Sequence, residues 1–361
     1  MNVLIDIAHP AHVHLTRNTY AELIARGHKV IVTVKDIPSA VDLLKRYNIP
    51  FVYLGGKSDN LVGKALLQLK YNYKLWNIVR KHRIDIGFGS SLTLAQLSKY
   101  SRLKSIILDD DDDDVEPLFV KYAHPAADVI LSPACVKRVT TKMIAYSGYH
   151  ELAYLHPNRF SPDKRVLQEA GIAHGEQFFI LRFNAFKAHH DVGVQGLSID
   201  DKRRLIKLLE QKGKVFITTE RNIDEEFRKY QLVVSPEKIH SLIYYATMLV
   251  GDSQTMTSEA AVLGTPAIRC NTFVGKISYL EEEEHLYDLT YGFRPDDVEK
   301  MFDKINMLLA NPGLKATWQQ KREKMLADKI DVSSFFIWFI ENYPESIRIM
   351  RENTDFQNKF R

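Results

Sequence analysis

The sequence predicts an α/β protein built from two Rossmann-like, doubly wound parallel-sheet domains in tandem, with a cleft between them. Three observations carry this. Short apolar, β-branched runs alternate with amphipathic stretches of helical period. The strand runs are apolar at successive residues, the pattern of strands covered on both faces. The alternation breaks once, at residues 156–163, where two prolines fall in eight residues without periodicity, and then resumes. A chain of 361 residues holds two domains at ~100–200 residues each.

In the first half, strands are expected at 3–7, 29–34, 50–54, 84–87, 105–108 and 129–131. Helices are expected between them at 15–26, 39–47, 61–81 and 92–100. Gly27 would close the first helix, because a residue without Cβ readily takes the left-handed C-cap conformation. Ser39 would cap the second. After the linker, strands are expected at 178–183, 215–218, 248–250 and 267–270, with helices near 200–211, 237–246 and 255–263. Helices at 295–309, 315–327, 333–343 and 347–352 end the chain, with Pro344 breaking the last pair. The expected domains are 1–157 and 158–332, followed by a terminal helical segment, 333–361. Ligands of such sheets bind beyond the C-terminal strand ends.

Composition narrows the function. Hydrophobic residues at 45% and charged residues at 26% exclude collagen-like and disordered chains. A net charge of +4 is too balanced for a protein that wraps nucleic acid, so no nucleic-acid partner is expected. Cys135 and Cys270 alone cannot make a disulfide framework and fit a reducing compartment. No apolar run approaches ~20 residues, and the N-terminal stretch lacks a basic region and contains Asp6. A cytoplasmic protein is expected.

In the second domain the leading constellation is 251–261, Gly-Asp-Ser-Gln-Thr-Met-Thr-Ser-Glu-Ala-Ala, followed by Gly264-Thr265-Pro266. A buried strand ends in a small polar turn and a helix starts at once. Its free N–H groups and positive end suit a phosphate, with Ser253, Gln254 and Thr255 adding donors. Glu259, one turn on, can accept two hydrogen bonds from a ribose diol. An ordinary N-capped helix with an exposed Glu would look the same. Arg182, Asn184 and Lys187, beside His189, His190 and Asp191, follow the first strand and can bind phosphate oxygens, as can Thr219 with Glu220 and Arg221 after the second. A polar surface loop is the plainer reading of both.

In the first domain, His9, His12 and His14 follow the first strand, three histidines within six residues. Histidine titrates near neutrality and can act as general base for a sugar hydroxyl. One or two of them capping or buried is the plainer reading, and no acidic or Cys partner has convincing metal-ligand spacing. Residues 109–114 are six consecutive aspartates. Most would form a solvated, self-repelling loop, while Asp109 and Asp110, at a strand end, are the members expected on the acceptor side. Residues 61–83 contain no acid but include Lys64, Lys70, Lys74, Arg80, Lys81 and Arg83. With Leu66, Leu69, Tyr73 and Trp76 this helix fits an anionic membrane surface, or a core helix with a basic outer face.

The opening Ile5-Asp6-Ile7-Ala8-His9-Pro10-Ala11-His12-Val13-His14, the Arg26-Gly27-His28 turn and the 251–266 block resemble the domain-of-unknown-function family 354. That family is similar to GT-B glycosyltransferases and to non-hydrolysing UDP-N-acetylglucosamine 2-epimerases. The resemblance runs through nearly the whole chain and implies a GT-B-like fold. It also implies that Ser253, Gln254 and Thr255 hold a nucleotide diphosphate and that Glu259 binds ribose hydroxyls. Residues 9–14 would face acceptor and donor phosphates, and the last helix would cross back to the first domain. Relatives often carry Gly-Gly or Gly-Ala where Gln254 and Thr255 stand.

The expected function is a GT-B-type glycosyltransferase using a nucleotide-diphosphate sugar, a UDP-sugar, in cell-surface glycan or polysaccharide biosynthesis. It would need no cofactor and no metal. A histidine among His9, His12 and His14 would deprotonate a glycan or lipid-linked acceptor. The alternatives are a sugar-nucleotide 2-epimerase and a non-catalytic nucleotide- or glycan-binding protein. Peripheral contact with the inner membrane face would run through 61–83.

Overall fold

The computed structural model describes residues 1–56, 61–138, 140–183, 196–219 and 223–361. The chain divides into two compact units, Met1–Arg159 with Lys329–Arg361, and Phe160–Asp328.

The first unit is a parallel sheet of β1 (Asn2–Ile7), β2 (Lys29–Val34), β3 (Val52–Tyr53), β4 (Ile86–Gly89), β5 (Lys104–Leu108), β6 (Val129–Pro133) and β7 (Met143–Tyr146). Their order is β3-β2-β1-β4-β5-β6-β7, so the winding direction reverses between β1 and β4. Val3, Leu4, Ile5 and Ile7 are fully buried, which requires cover on both faces. On Leu4's face the helix Leu61–His82 contributes Tyr71, Leu75 and Val79. Phe88 stands in register with Ile5 and so faces the other way. There it meets Phe336 of the helix Val332–Glu341, ring centroids 5.4 Å apart. Ser333 Oγ donates to the Ala153 carbonyl at 2.6 Å, and Arg159 pairs with Asp331 at 2.7 Å. The terminal helices are therefore held by the first unit.

The second unit is a parallel sheet of β8 (Phe178–Arg182), β9 (Lys214–Thr218), β10 (Met248–Gly251), β11 (Ala267–Cys270) and β12 (Thr290–Phe293), ordered β12-β11-β10-β8-β9. Here the direction reverses between β8 and β10.

The departures from expectation have local causes. β7, Met-Ile-Ala-Tyr, is a continuous apolar run that is not among the expected strands, whereas β12, Thr-Tyr-Gly-Phe, is interrupted by Gly292; both are edge strands with partly covered faces. The short helices Pro117–Tyr122, Leu152–Leu155 and Arg165–Glu169 are too brief to display a period. The strand expected at 84–87 starts two residues later because Ile84 closes the preceding helix, its N–H donating to the Val79 carbonyl at 3.0 Å. Ser39 is not a cap: the helix Pro38–Arg46 begins on Pro38, with Ile37 at the N-cap position. Among the described residues no helix is long and apolar enough to cross a membrane.

Candidate functional site

Open parallel sheets hold ligands beyond the C-terminal strand ends, at the point where the winding reverses. In the second unit that point joins Arg182, last in β8, to Gly251, last in β10, which lie in register. A Cβ on Gly251 would sit 2.0 Å from the Arg182 carbonyl oxygen, so only glycine allows this approach. The Asp252 N–H then donates to the same carbonyl at 3.0 Å.

The helix Gln254–Leu263 starts immediately. Ser253 is extended, its Oγ accepts from the Met256 N–H at 3.3 Å, and Gly264 ends the helix in the left-handed conformation at φ 70°. The first-turn N–H groups thus gather at the end of β10 and give a partial positive charge. Arg182 Nη1 lies 3.5 Å from Thr218 Oγ1, and Thr219 follows. One sheet end therefore collects Arg182, Thr219, Ser253, Gln254 and Thr255. Asn184 and Lys187, with His189, His190, Asp191, Glu220 and Arg221, lie outside the described residues.

Glu259 is buried rather than exposed, and its Oε1 is 2.9 Å from His240 Nε2 on the helix Ile239–Tyr245. A buried carboxylate needs such a partner to offset desolvation. The contact orients Glu259 one turn behind the helix start.

In the first unit the reversal lies between β1 and β4. Asp6 is buried there, accepting from Thr33 Oγ1 at 2.7 Å and Ser91 Oγ at 2.5 Å. The three histidines separate. His9 is exposed and caps the helix Pro10–Ala25, its Nδ1 accepting from the Ala11 N–H at 3.3 Å. His14 is buried, 3.2 Å from the Tyr47 hydroxyl and stacked on Tyr154, so it turns away from the other two. His12 is half-buried, with its ring 5.9 Å from that of His9. Its Nδ1 accepts from the Ala8 N–H at 3.4 Å, which leaves Nε2 as the protonated nitrogen. Desolvation lowers its pKa to about 3, reinforced by His9, His150 and Lys35 against the opposing pull of Asp110. His12 is a neutral donor.

The aspartate run is clamped rather than mostly solvated. Arg138 is buried and pairs with Asp109 at 3.0 Å and Asp113 at 2.8 Å, and it donates to the Asp111 carbonyl. His124 Nε2 holds Asp109 at 2.6 Å. Asp110 lies 2.9 Å from His150 Nδ1. Burial opposes its ionisation, but the adjacent His150 ring prevails and keeps its carboxyl below the usual range. Asp111 goes the other way: burial first, then Asp110, Glu116, Asp109 and Asp112, push it up to about 8. His150 Nε2, the Tyr146 hydroxyl and Arg138 Nη1 are buried without a hydrogen-bond partner among the described residues. Buried polar atoms are rarely left so, and of these three residues Tyr146 and His150 are neighbours, their rings stacked with centroids 6.5 Å apart.

His150, His124 and Arg138 were not apparent from sequence. The signal that could have found His150 is the apolar run Met143-Ile144-Ala145-Tyr146: read as a strand, it carries the loop with His150 onto the same sheet end. Among the described residues, no three His, Cys, Asp or Glu side chains converge as metal ligands.

Comparison with known proteins agrees with this architecture. The profile of the family described as "Protein of unknown function (DUF354)" matches residues 1–332. The "Uncharacterized protein MJ0665" of Methanocaldococcus jannaschii is 21% identical over 321 residues, covering 79% of this chain and 87% of that protein. Among solved structures, the S. aureus MnaA–UDP co-structure superposes with a TM-score of 0.68 at 12% identity, over 95% of this chain and 96% of that one. A UDP-N-acetylglucosamine 2-epimerase gives 0.64 at 14% identity, over 94% and 95%. The spinosyn rhamnosyltransferase SpnG with thymidine diphosphate gives 0.62 at 12% identity, over 94% and 99%. At these identities the likeness is one of fold, that of GT-B glycosyltransferases and UDP-N-acetylglucosamine 2-epimerases.

Proposed function

The chain belongs to this family, and on that premise we propose that it is a GT-B-type glycosyltransferase drawing its sugar from a nucleotide diphosphate, with UDP as the nucleotide. The carrying observation is the pair Asp110–His150. Asp110 accepts from Nδ1–H, so the lone pair of His150 sits on Nε2, the atom left without a partner among the described residues. That is the arrangement of a general base.

The acceptor hydroxyl gives its proton to Nε2, its oxygen attacks the anomeric carbon, and the bond from that carbon to the diphosphate oxygen breaks. Asp110 stabilises the imidazolium. In the second unit, Arg182 and the first turn of Gln254–Leu263 are the groups suited to hold a nucleotide's diphosphate, with Thr219 beside them and Asn184 and Lys187 as candidates from the sequence. Glu259 receives the ribose diol. His12 donates from Nε2 to an oxygen of the substrate. Asp109, tied to His124 and Arg138, fixes the loop, so the acceptor side rests on Asp110. A glycan or lipid-linked acceptor suits this chemistry, in cell-surface polysaccharide synthesis.

The neighbour solved with UDP supports the choice of nucleotide. The test is UDP release from a panel of UDP-sugars, with and without extracted glycan and lipid fractions. Acceptor-dependent release that His150→Gln lowers ~10²-fold, with UDP binding by calorimetry unchanged, is the expected result. Failure of any UDP-sugar to bind overturns the reading.

One observation favours a second reading, a sugar-nucleotide 2-epimerase. The neighbouring carboxyls of Asp110 and Asp111 are shifted in opposite directions, one below and one above the usual carboxylate range, the kind of split that suits a base and an acid acting on a sugar with no acceptor. NMR of each UDP-sugar with the protein alone separates the two, since only an epimerase converts it.

A further inference from the structure

We propose that the helix Leu61–His82 is a docking surface for anionic lipid bilayers. The helix has two apolar faces. Tyr71, Leu75 and Val79 recur at every fourth residue and are buried in the sheet's core cluster. Leu66, Leu69 and Tyr73 fall on the opposite side at helical spacing, and they are 63%, 65% and 65% exposed. A helix that needed only to cover the sheet would place polar side chains there.

Lys70, Asn77 and Arg80 share that outer face and are exposed, and Lys81 flanks it. No acid occurs from residue 60 to residue 84, against six Lys and Arg. Arg80 also lies over the Trp76 ring, 4.6 Å from its centroid. Apolar side chains set among cations are the composition of an interfacial helix, in which leucine and tyrosine enter the acyl boundary while lysine and arginine meet lipid phosphates.

Charge selects this occupant over a second copy of the chain. An isologous contact sets a patch against itself, and here it would bring an acid-free basic face onto another.

The position of the helix gives the docking a consequence. It connects β3 to β4 in a parallel sheet, so its first turns, with Leu66 and Leu69, lie toward the C-terminal strand ends where Asp110 and His150 sit. Docking would bring that sheet end to the bilayer, where a lipid-linked acceptor would be found. That consequence rests on the glycosyltransferase reading, whereas the docking does not.

The experiment is co-sedimentation of the full chain with phosphatidylcholine vesicles, with and without phosphatidylglycerol, in the absence of nucleotide. Binding is expected only with the anionic lipid and should weaken as salt is raised. The pair Leu66→Ser/Leu69→Ser should lower partitioning by ~10-fold or more. Lys70→Glu/Arg80→Glu should do so at least as strongly. Val233→Ser/Met307→Ser removes exposed apolar side chains from the other unit and should change nothing. The charge pair keeps the test intact if the serine pair lowers the melting temperature. The proposal is overturned if the unmutated chain ignores anionic vesicles at low salt or if both helix pairs bind normally. It is equally overturned if light scattering shows a dimer that Leu69→Ser splits. None of these readouts involves turnover, so they stand apart from the fate of the catalytic reading.

Discussion

Under the proposed mechanism, replacing Asp110 by asparagine should disable His150 as a base without removing its ring. The amide can turn its NH2 toward His150, which then accepts at Nδ1 and carries its proton on Nε2, the wrong atom for a base. The magnitude follows from the contact. At 2.9 Å and an effective dielectric of ~20, the attraction between carboxylate and imidazolium is bounded at ~6 kcal/mol. The Asp110 side chain is 24% exposed, so about half of that is a fair figure after screening. Some 3 kcal/mol is a loss of ~10²-fold in turnover, the lower end of what a general base contributes. Two assays check it. Acceptor-dependent UDP release should fall ~10²-fold in Asp110→Asn and no further when His150→Ala is added, because the two act as a unit. Nitrogen-15 NMR of the histidines should show His150 protonated on Nδ1 in the unmutated chain and on Nε2 in the variant. Turnover within about threefold of normal, or an Nε2–H tautomer in the unmutated chain, would refute the reasoning.

Glu259→Gln retains an acceptor for His240 and should leave the melting temperature nearly unchanged while UDP affinity drops ~10-fold by calorimetry. Gly251→Ala places a methyl 2.0 Å from the Arg182 carbonyl oxygen and should cost about 3 kcal/mol or more, seen as a fall of ~6–12 °C in the thermal melt of the second unit. His12 falls from an ordinary 6.5 to about 3 on folding, so between those values the unfolded chain binds the extra proton. Its stabilisation is complete above pH ~6.5 and is lost as pH falls, at most ~2 kcal/mol by pH 5. Urea melts at pH 7.5 and pH 5 should differ less in His12→Asn by that amount, with His9, His150, Asp110 and Lys35 left in place.

How much of this was legible beforehand depends on the range of the interaction. Hydrophobic period is local, so the central strands and long helices could be read directly. β10 with its Ser253-capped helix is the clearest case, because strand, cap and Gly264 stop all lie within seventeen residues, 248–264. β12 is hard to read because Thr290 and Gly292 interrupt its apolar pattern, whereas β7, Met-Ile-Ala-Tyr, is an apolar run that cannot be told from a short buried helix by period alone.

The sequence by itself determined two parallel α/β sheets, the polar turn before residue 254, and a basic helix free of acids. It could also place His9, His12 and His14 near a strand end, since that follows from chain order. Which histidine pairs with an aspartate and keeps a buried nitrogen without a partner among the described residues was decided only by tertiary structure. His150 and Asp110 are separated by forty positions, and they meet because β5, β6 and β7 lie side by side and end together. His14 is carried inward by the turn of its helix, whereas His9 is spent on a cap. The same holds for the aspartates. Their like charges predict an open loop, and Arg138 and His124, brought in from later in the chain, close it. Local spacing sets where a side chain can start from, but its partners, and hence its protonation, come from strands distant in the chain.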